Sequence, residues 1–147
     1  YRIVEDFEEI DDNVKKGILM HHEREDGSGY PMGLKGNQIN KFAKIIAIAD
    51  TYDAMTSNRV YKQKECPFAV LEYLEKDSYG FFDTKIVSIF LKNIAAYYIG
   101  DYVRLNTGYT GQIVYVNPMC VSKPIIKVGN EYIDLLVEKD LSIIELI

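Results

Sequence analysis

Apolar residues recur at threes and fours through the first hundred positions of this chain and at every second position thereafter, so the pattern predicts helices followed by strands. A first helix is predicted over residues 11–22, with Ile10, Val14, Ile18 and Leu19 facing inward. A second covers 39–55, where Phe42, Ile45, Ile46, Ala49 and Tyr52 form an apolar stripe. Pro67 suits the first turn of a helix, where its missing N–H was unpaired anyway; that helix is predicted to reach residue 76. Asp83 is placed to cap a longer helix through residue 98, which Gly100 closes. Its stripe of Ile86, Ile89, Phe90, Ile94 and Tyr97 is assigned to the core. Strands are predicted at 102–105, 112–116, 124–128, 132–137 and 141–147, with turns at 106–108 and at Gly129-Asn130.

The expected fold is therefore mainly α, a helical region over residues 1–99, followed by a small antiparallel β module over 100–147, either an open sheet or an SH3-like barrel. Tyr102, Tyr109, Tyr115 and Tyr132 alternate with the apolar strand positions and serve either sheet packing or a partner surface.

Between the first two helices lies the segment richest in chemistry, His21-His22-Glu23-Arg24-Glu25-Asp26-Gly27-Ser28-Gly29-Tyr30-Pro31. It holds both histidines of the chain, and imidazole is the commonest protein ligand for transition metals near neutral pH. Neighbours on a helix diverge by roughly 100°, so the pair aims poorly at one ion and suits a centre whose ions lie about 3.5–4 Å apart. An isolated His-His is also compatible with a capping or surface pair. Asp26 to Gly29 is a turn signal, because Asp favours turn starts and Gly takes positive φ cheaply. Pro31 then keeps Tyr30 out of the helical region.

Asp50 interrupts the apolar run 45–49, and Asp53 follows on the same helix face. A carboxylate in such a run is costly unless paired or bound to metal; a solvent-facing Asp near a helix end is the other reading. Arg59 and Lys62, again three apart, can meet one anion with a planar fork and a point charge, or stand solvated. The acids Glu5, Asp6, Glu8, Glu9, Asp11 and Asp12 read as a solvated face and a helix start. Cys66 and Cys120 are far apart and form no C-x-x-C, which points to free thiols rather than a zinc ribbon or a disulfide framework. A net charge of −5 over 147 residues argues against a polymeric nucleic-acid partner. No apolar run approaches the ~20 residues of a membrane span.

The strings HHEREDGSGYP and IIAIADTYDAMTSNRVYK together resemble the HD-GYP subgroup of HD-domain metal-dependent phosphohydrolases. The resemblance is almost continuous from His21 to Lys62 and extends in weaker form to the end of the chain. It implies hydrolysis of cyclic di-GMP to pGpG and onward to GMP, by water activated on two or three iron, manganese or related ions. His21, His22 and Asp50 are implied as metal ligands and Asp53 as a catalytic carboxylate behind them. Arg59 and Lys62 are implied to contact substrate phosphate, and Gly29, Tyr30 and Pro31 to line the substrate groove. The GYP loop is also a candidate dock for a signalling protein. Val60 departs from the usual Arg-Pro-Tyr, which affects loop stiffness more than ligand chemistry. The subgroup's His-Asp doublet is absent from residues 1–20, so the chain is expected to be the carboxy-terminal portion of a cytoplasmic bacterial enzyme, inactive alone.

Overall fold

A computed structural model describes residues 1–58 and 64–147, in which five α-helices precede five β-strands. Helices and strands fall where the change of hydrophobic period places them. The chain forms two compact units, one of residues 1–54 with 78–87, the other of 55–77 with 88–147, and the division falls inside two of the helices.

The first unit opens with a single turn, α1 (Arg2–Glu5), which the pattern does not predict. Helix α2 (Asp12–Met20) begins where the Asp11 carboxylate accepts the Asn13 amide at 2.8 Å. It stops before the histidines, which occupy the turn that follows. Helix α3 (Lys41–Thr56) starts with the Asn40 side chain accepting the Phe42 amide at 2.9 Å. Gly17 is the buried residue of α2, and a Cβ there would stand 3.3 Å from Ile46 Cδ1 and 3.5 Å from Phe42 Cβ, so α2 crosses α3 at a position without a side chain.

Two expectations for this unit are overturned. Val14 and Ile18 do not face inward, since both are exposed. On α3 the stripe is likewise open, with Phe42 54%, Ile45 44% and Ile46 40% exposed, whereas Ala43, Ala47 and Ile48 are buried. Periodicity marks the row of large apolar residues, but the buried side of α3 carries Ala43, Ala47 and Ile48: Ala47 lines a cavity shared with Glu23, Glu25, Ile39 and Phe82.

In the second unit, α4 (Pro67–Lys76) starts with Pro67 as expected and buries Phe68, Val70, Leu71 and Leu74. It packs on β3 and β5 of one antiparallel sheet, ordered β4-β3-β2-β1-β5, made of β1 (Tyr102–Leu105), β2 (Thr110–Asn117), β3 (Cys120–Val128), β4 (Glu131–Asp134) and β5 (Ile143–Leu146). Alternation along the strands buries Val103, Leu105, Ile113 and Ile126. The Glu75 carboxylate accepts the Val121 amide at 2.5 Å and the Ser122 hydroxyl, tying α4 to β3. Pro124 falls where the β2–β3 register is irregular, as a residue without an N–H must. Tyr102, Tyr109, Tyr115 and Tyr132 are each at least half exposed, so none packs in the core.

Helix α5 (Thr84–Ala96) is capped by Asp83, whose carboxylate accepts the Lys85 and Ile86 amides at 3.0 and 3.2 Å. Its buried residues are Val87, Leu91 and Ala95, one step out of phase with the expected stripe; Ile89 and Tyr97 are exposed. Cys66 and Cys120 are free thiols. Among the described residues no helix is long and apolar enough to cross a membrane.

Candidate metal centre

Because α2 ends at Met20, the histidine pair escapes the helical divergence expected of neighbours. The two rings lie with centroids 4.1 Å apart and planes tilted by 41°. His21 Nδ1 is 2.8 Å from the carbonyl of Ile18. A carbonyl only accepts, so Nδ1 carries the proton and the Nε2 lone pair is left for an ion. His22 is held differently: the Tyr30 ring stacks on it at 4.6 Å and 26°.

Burial pushes the His22 imidazole below its ordinary pKa, the neighbouring His21 pushes it further down, and the Asp50 charge on α3 works in the opposite direction. The ring is thereby kept neutral near pH 7, the form that ligates metal. Asp50 is exposed, as is Asp53 one turn later on the same helix.

The loop after the histidines is tied down by polar groups rather than by regular structure. Arg24 donates to the carbonyls of His21 and Glu23 at 3.2 and 2.9 Å, closing the end of α2 with a cation. Its guanidinium also lies 5.0 Å from the centroid of Phe82. The Asp26 carboxylate accepts both the amide and the hydroxyl of Ser28, at 2.8 and 2.7 Å, which forms the predicted turn and holds the Asp26 carboxyl below the ordinary range. Gly29 lies on the backbone of residues 22–24: a Cβ would fall 2.4 Å from Glu23 Cα and 2.5 Å from the His22 carbonyl oxygen. The Tyr30–Pro31 peptide is cis.

Sequence reasoning assigned no role to Glu23, Glu25 or Lys44, which lie around this loop. Glu23 is 2% exposed, and its two carboxylate oxygens accept the amides of Met32 and Leu34 at 2.7 and 2.8 Å. Glu25 and Asp83 flank the nearly buried Lys44 ammonium at 2.7 and 3.6 Å. The available signal was the loop itself, since backbone amides outside helices and sheets need acceptors and the segment between Glu23 and Leu34 supplies few besides its own acids.

Two imidazoles and a carboxylate are a nitrogen and oxygen set suited to iron, manganese or zinc, and the pinned His21 tautomer fits a ligand. Among the described residues no three His, Cys, Asp or Glu side chains gather tightly enough to enclose an ion on their own. Arg59 and Lys62 lie outside the described residues.

A model of the HD domain matches residues 1–86. The chain belongs to the HD-domain family. Its His21-to-Pro31 string is that of the HD-GYP subgroup. This HD-GYP chain is 34% identical over 127 residues to a cyclic di-GMP phosphodiesterase of Pseudomonas aeruginosa, covering 86% of the chain and 30% of that protein. It is 46% identical over 77 residues to the cyclic di-GMP phosphodiesterase response regulator RpfG of Xanthomonas campestris, covering 52% of the chain and 20% of the relative. It is also 39% identical over 79 residues to a 3'3'-cGAMP-specific phosphodiesterase of Vibrio cholerae, covering 53% and 18% respectively. The HD-GYP chain thus spans less than a third of the length of these curated relatives.

Proposed function

We propose that this chain supplies metal ligands and phosphate-binding residues to a cytoplasmic phosphodiesterase that hydrolyses cyclic di-GMP to pGpG and GMP. His21, His22 and Asp50 act as ligands to iron or manganese, with further ligands from outside the described residues. The reading is carried by the paired imidazoles at 4.1 Å, one with its tautomer pinned and the other kept neutral within reach of the Asp50 charge.

The ions supply Lewis acidity, which lowers the pKa of water from about 15.7 toward 7. The chain's own residues do the rest. His22, uncharged near pH 7, offers a lone pair instead of a proton. Asp50 contributes the negative charge that two neutral imidazoles lack, and Asp53 supports it from the next turn as the catalytic carboxylate. Gly29, Tyr30 and Pro31 form a wall of the substrate groove, with the Tyr30 ring, 60% exposed, available to a base. Arg59 and Lys62 offset the phosphate charge as it grows in the transition state.

A second reading is favoured by the two Vibrio cholerae relatives named as 3'3'-cGAMP-specific phosphodiesterases, 39% and 38% identical: the same metal chemistry acting on a mixed cyclic dinucleotide. Metal analysis of the protein and turnover of the two cyclic dinucleotides in competition decide between them. Preference for cyclic di-GMP is expected, and preference for 3'3'-cGAMP replaces the first reading with the second. His22→Ala and Asp50→Ala are expected to lower kcat/KM at least 100-fold, about 2.7 kcal/mol of barrier, while Lys62→Ala chiefly raises KM. Unchanged kinetics in Asp50→Ala would refute its assignment as a ligand.

A further inference from the structure

The two histidines are oriented by different means. His21 is fixed by its hydrogen bond to the Ile18 carbonyl. No hydrogen bond to the His22 ring is found among the described residues; its aromatic partners are His21 and Tyr30. The plane of His22 therefore depends on where the loop holds Tyr30. Tyr30 is mostly exposed and its amide reaches the His22 carbonyl at a long 3.3 Å, so burial of its own side chain does not fix it.

What fixes the loop lies beneath it. The Glu23 carboxylate is shut away from water and grips the loop twice, at Met32 and at Leu34, immediately after Tyr30 and Pro31. The absence of a side chain at Gly29 lets the near end of the loop rest on the Glu23 backbone. A buried carboxylate satisfied by two backbone amides is a stiff clamp, because losing either bond leaves a charge without compensation.

We propose that Glu23 is a positioning residue of the metal centre: by holding Met32 and Leu34 it keeps Tyr30 stacked on His22 and so sets the direction of the His22 lone pair. Glu23 touches neither metal nor substrate in this role. The proposal rests on the metal-ligand reading of His22, and outer partners that orient ligands typically contribute 10–100-fold in metal affinity.

The test uses the full chain with Glu23→Gln, which keeps the size but replaces one acceptor with a donor, and Glu23→Asp, which keeps the charge but falls one methylene short. Val87→Ala, a buried truncation in the same unit, controls for general loosening. Two measurements are made: nuclear Overhauser contacts between the Tyr30 and His22 rings in metal-free protein, and the affinity for manganese(II) alone. Both Glu23 variants are expected to lose the ring contacts and to bind manganese about 10–100-fold more weakly, while Val87→Ala keeps both. If Glu23→Gln fails to fold, Glu23→Asp decides. Retention of the ring contacts or of wild-type manganese affinity in a folded Glu23 variant overturns the proposal, as does equal loss in Val87→Ala. A wild-type protein that binds no manganese sinks the metal reading instead, and the ring contacts still decide whether Glu23 sets the stack.

Discussion

The GYP loop and the carboxy-terminal sheet satisfy their backbone amides differently. In the sheet, β2 and β3 pair with each other and with β1 and β4, so most amides find carbonyls and the side chains are free to follow the demands of packing. In the loop, single side chains serve several backbone groups: Glu23 takes two amides, Asp26 takes one amide and a hydroxyl, and Arg24 takes two carbonyls. The sheet therefore distributes its stability over many replaceable residues, whereas the loop concentrates its shape in a few that cannot be exchanged. Their apolar surfaces differ in the same sense. The second unit closes a core around Leu71, Leu105 and Ile113, while in the first Phe42, Ile45 and Ile46 remain open.

The strongest challenge to that contrast is Leu71→Ala in α4. Leu71 is fully buried, and its truncation is expected to cost about 2–5 kcal/mol in urea unfolding; a cost under 1 kcal/mol would mean that the second unit lacks the closed core described. Next comes Gly29→Ala, whose Cβ would strike backbone atoms rather than flexible side-chain ends. It is expected to cost about 1–3 kcal/mol and to separate Tyr30 from His22, detectable by loss of ring-current shifts. A smaller effect is expected for Ile45→Ser on the open face of α3, within about 0.5 kcal/mol; a loss above 1 kcal/mol would show that this face is covered in solution.

The smallest effect concerns Glu72, whose carboxyl is held below its ordinary pKa by Lys76 at 2.5 Å and, less strongly, by Lys123. A lowered carboxylate contributes stability that is present above its unfolded pKa and is lost as pH falls through the folded value. Glu72→Gln is thus expected to remove about 0.3–0.5 kcal/mol near pH 7 and nothing once the pH has fallen below the folded value, read from unfolding curves at neutral and strongly acid pH. Equal losses at both would mean that Glu72 acts by packing rather than charge.

Much of the fold was legible because period and punctuation agree: Pro67 opens α4, Asp83 caps α5, and the turn at residues 106–108 separates β1 from β2. The side each helix buries was less legible. Hydrophobic spacing locates a stripe but does not say which side of it is buried, and on α3 the buried side is that of Ala43, Ala47 and Ile48. The histidine pair and Asp50 stood out by residue type. Glu23 did not stand out, because a carboxylate among five charged or polar neighbours looks like surface until the loop is seen folding over it. Its partners, the amides of Met32 and Leu34, have no signature in a sequence of side chains.

The hydrogen atom that serves as the side chain of Gly17 has a consequence for the approach of α2 to α3, one turn before the histidine pair. The α2 helix ends at Met20, just before the paired histidines, and Gly17 meets α3, the helix that carries Asp50, beside Ile46 and Phe42. Even a methyl group at position 17 would stand 3.3 Å from Ile46 Cδ1 and make that side chain yield by a few tenths of an ångström. The closeness of α2 to α3 just ahead of the histidine pair thus rests on a residue without a side chain.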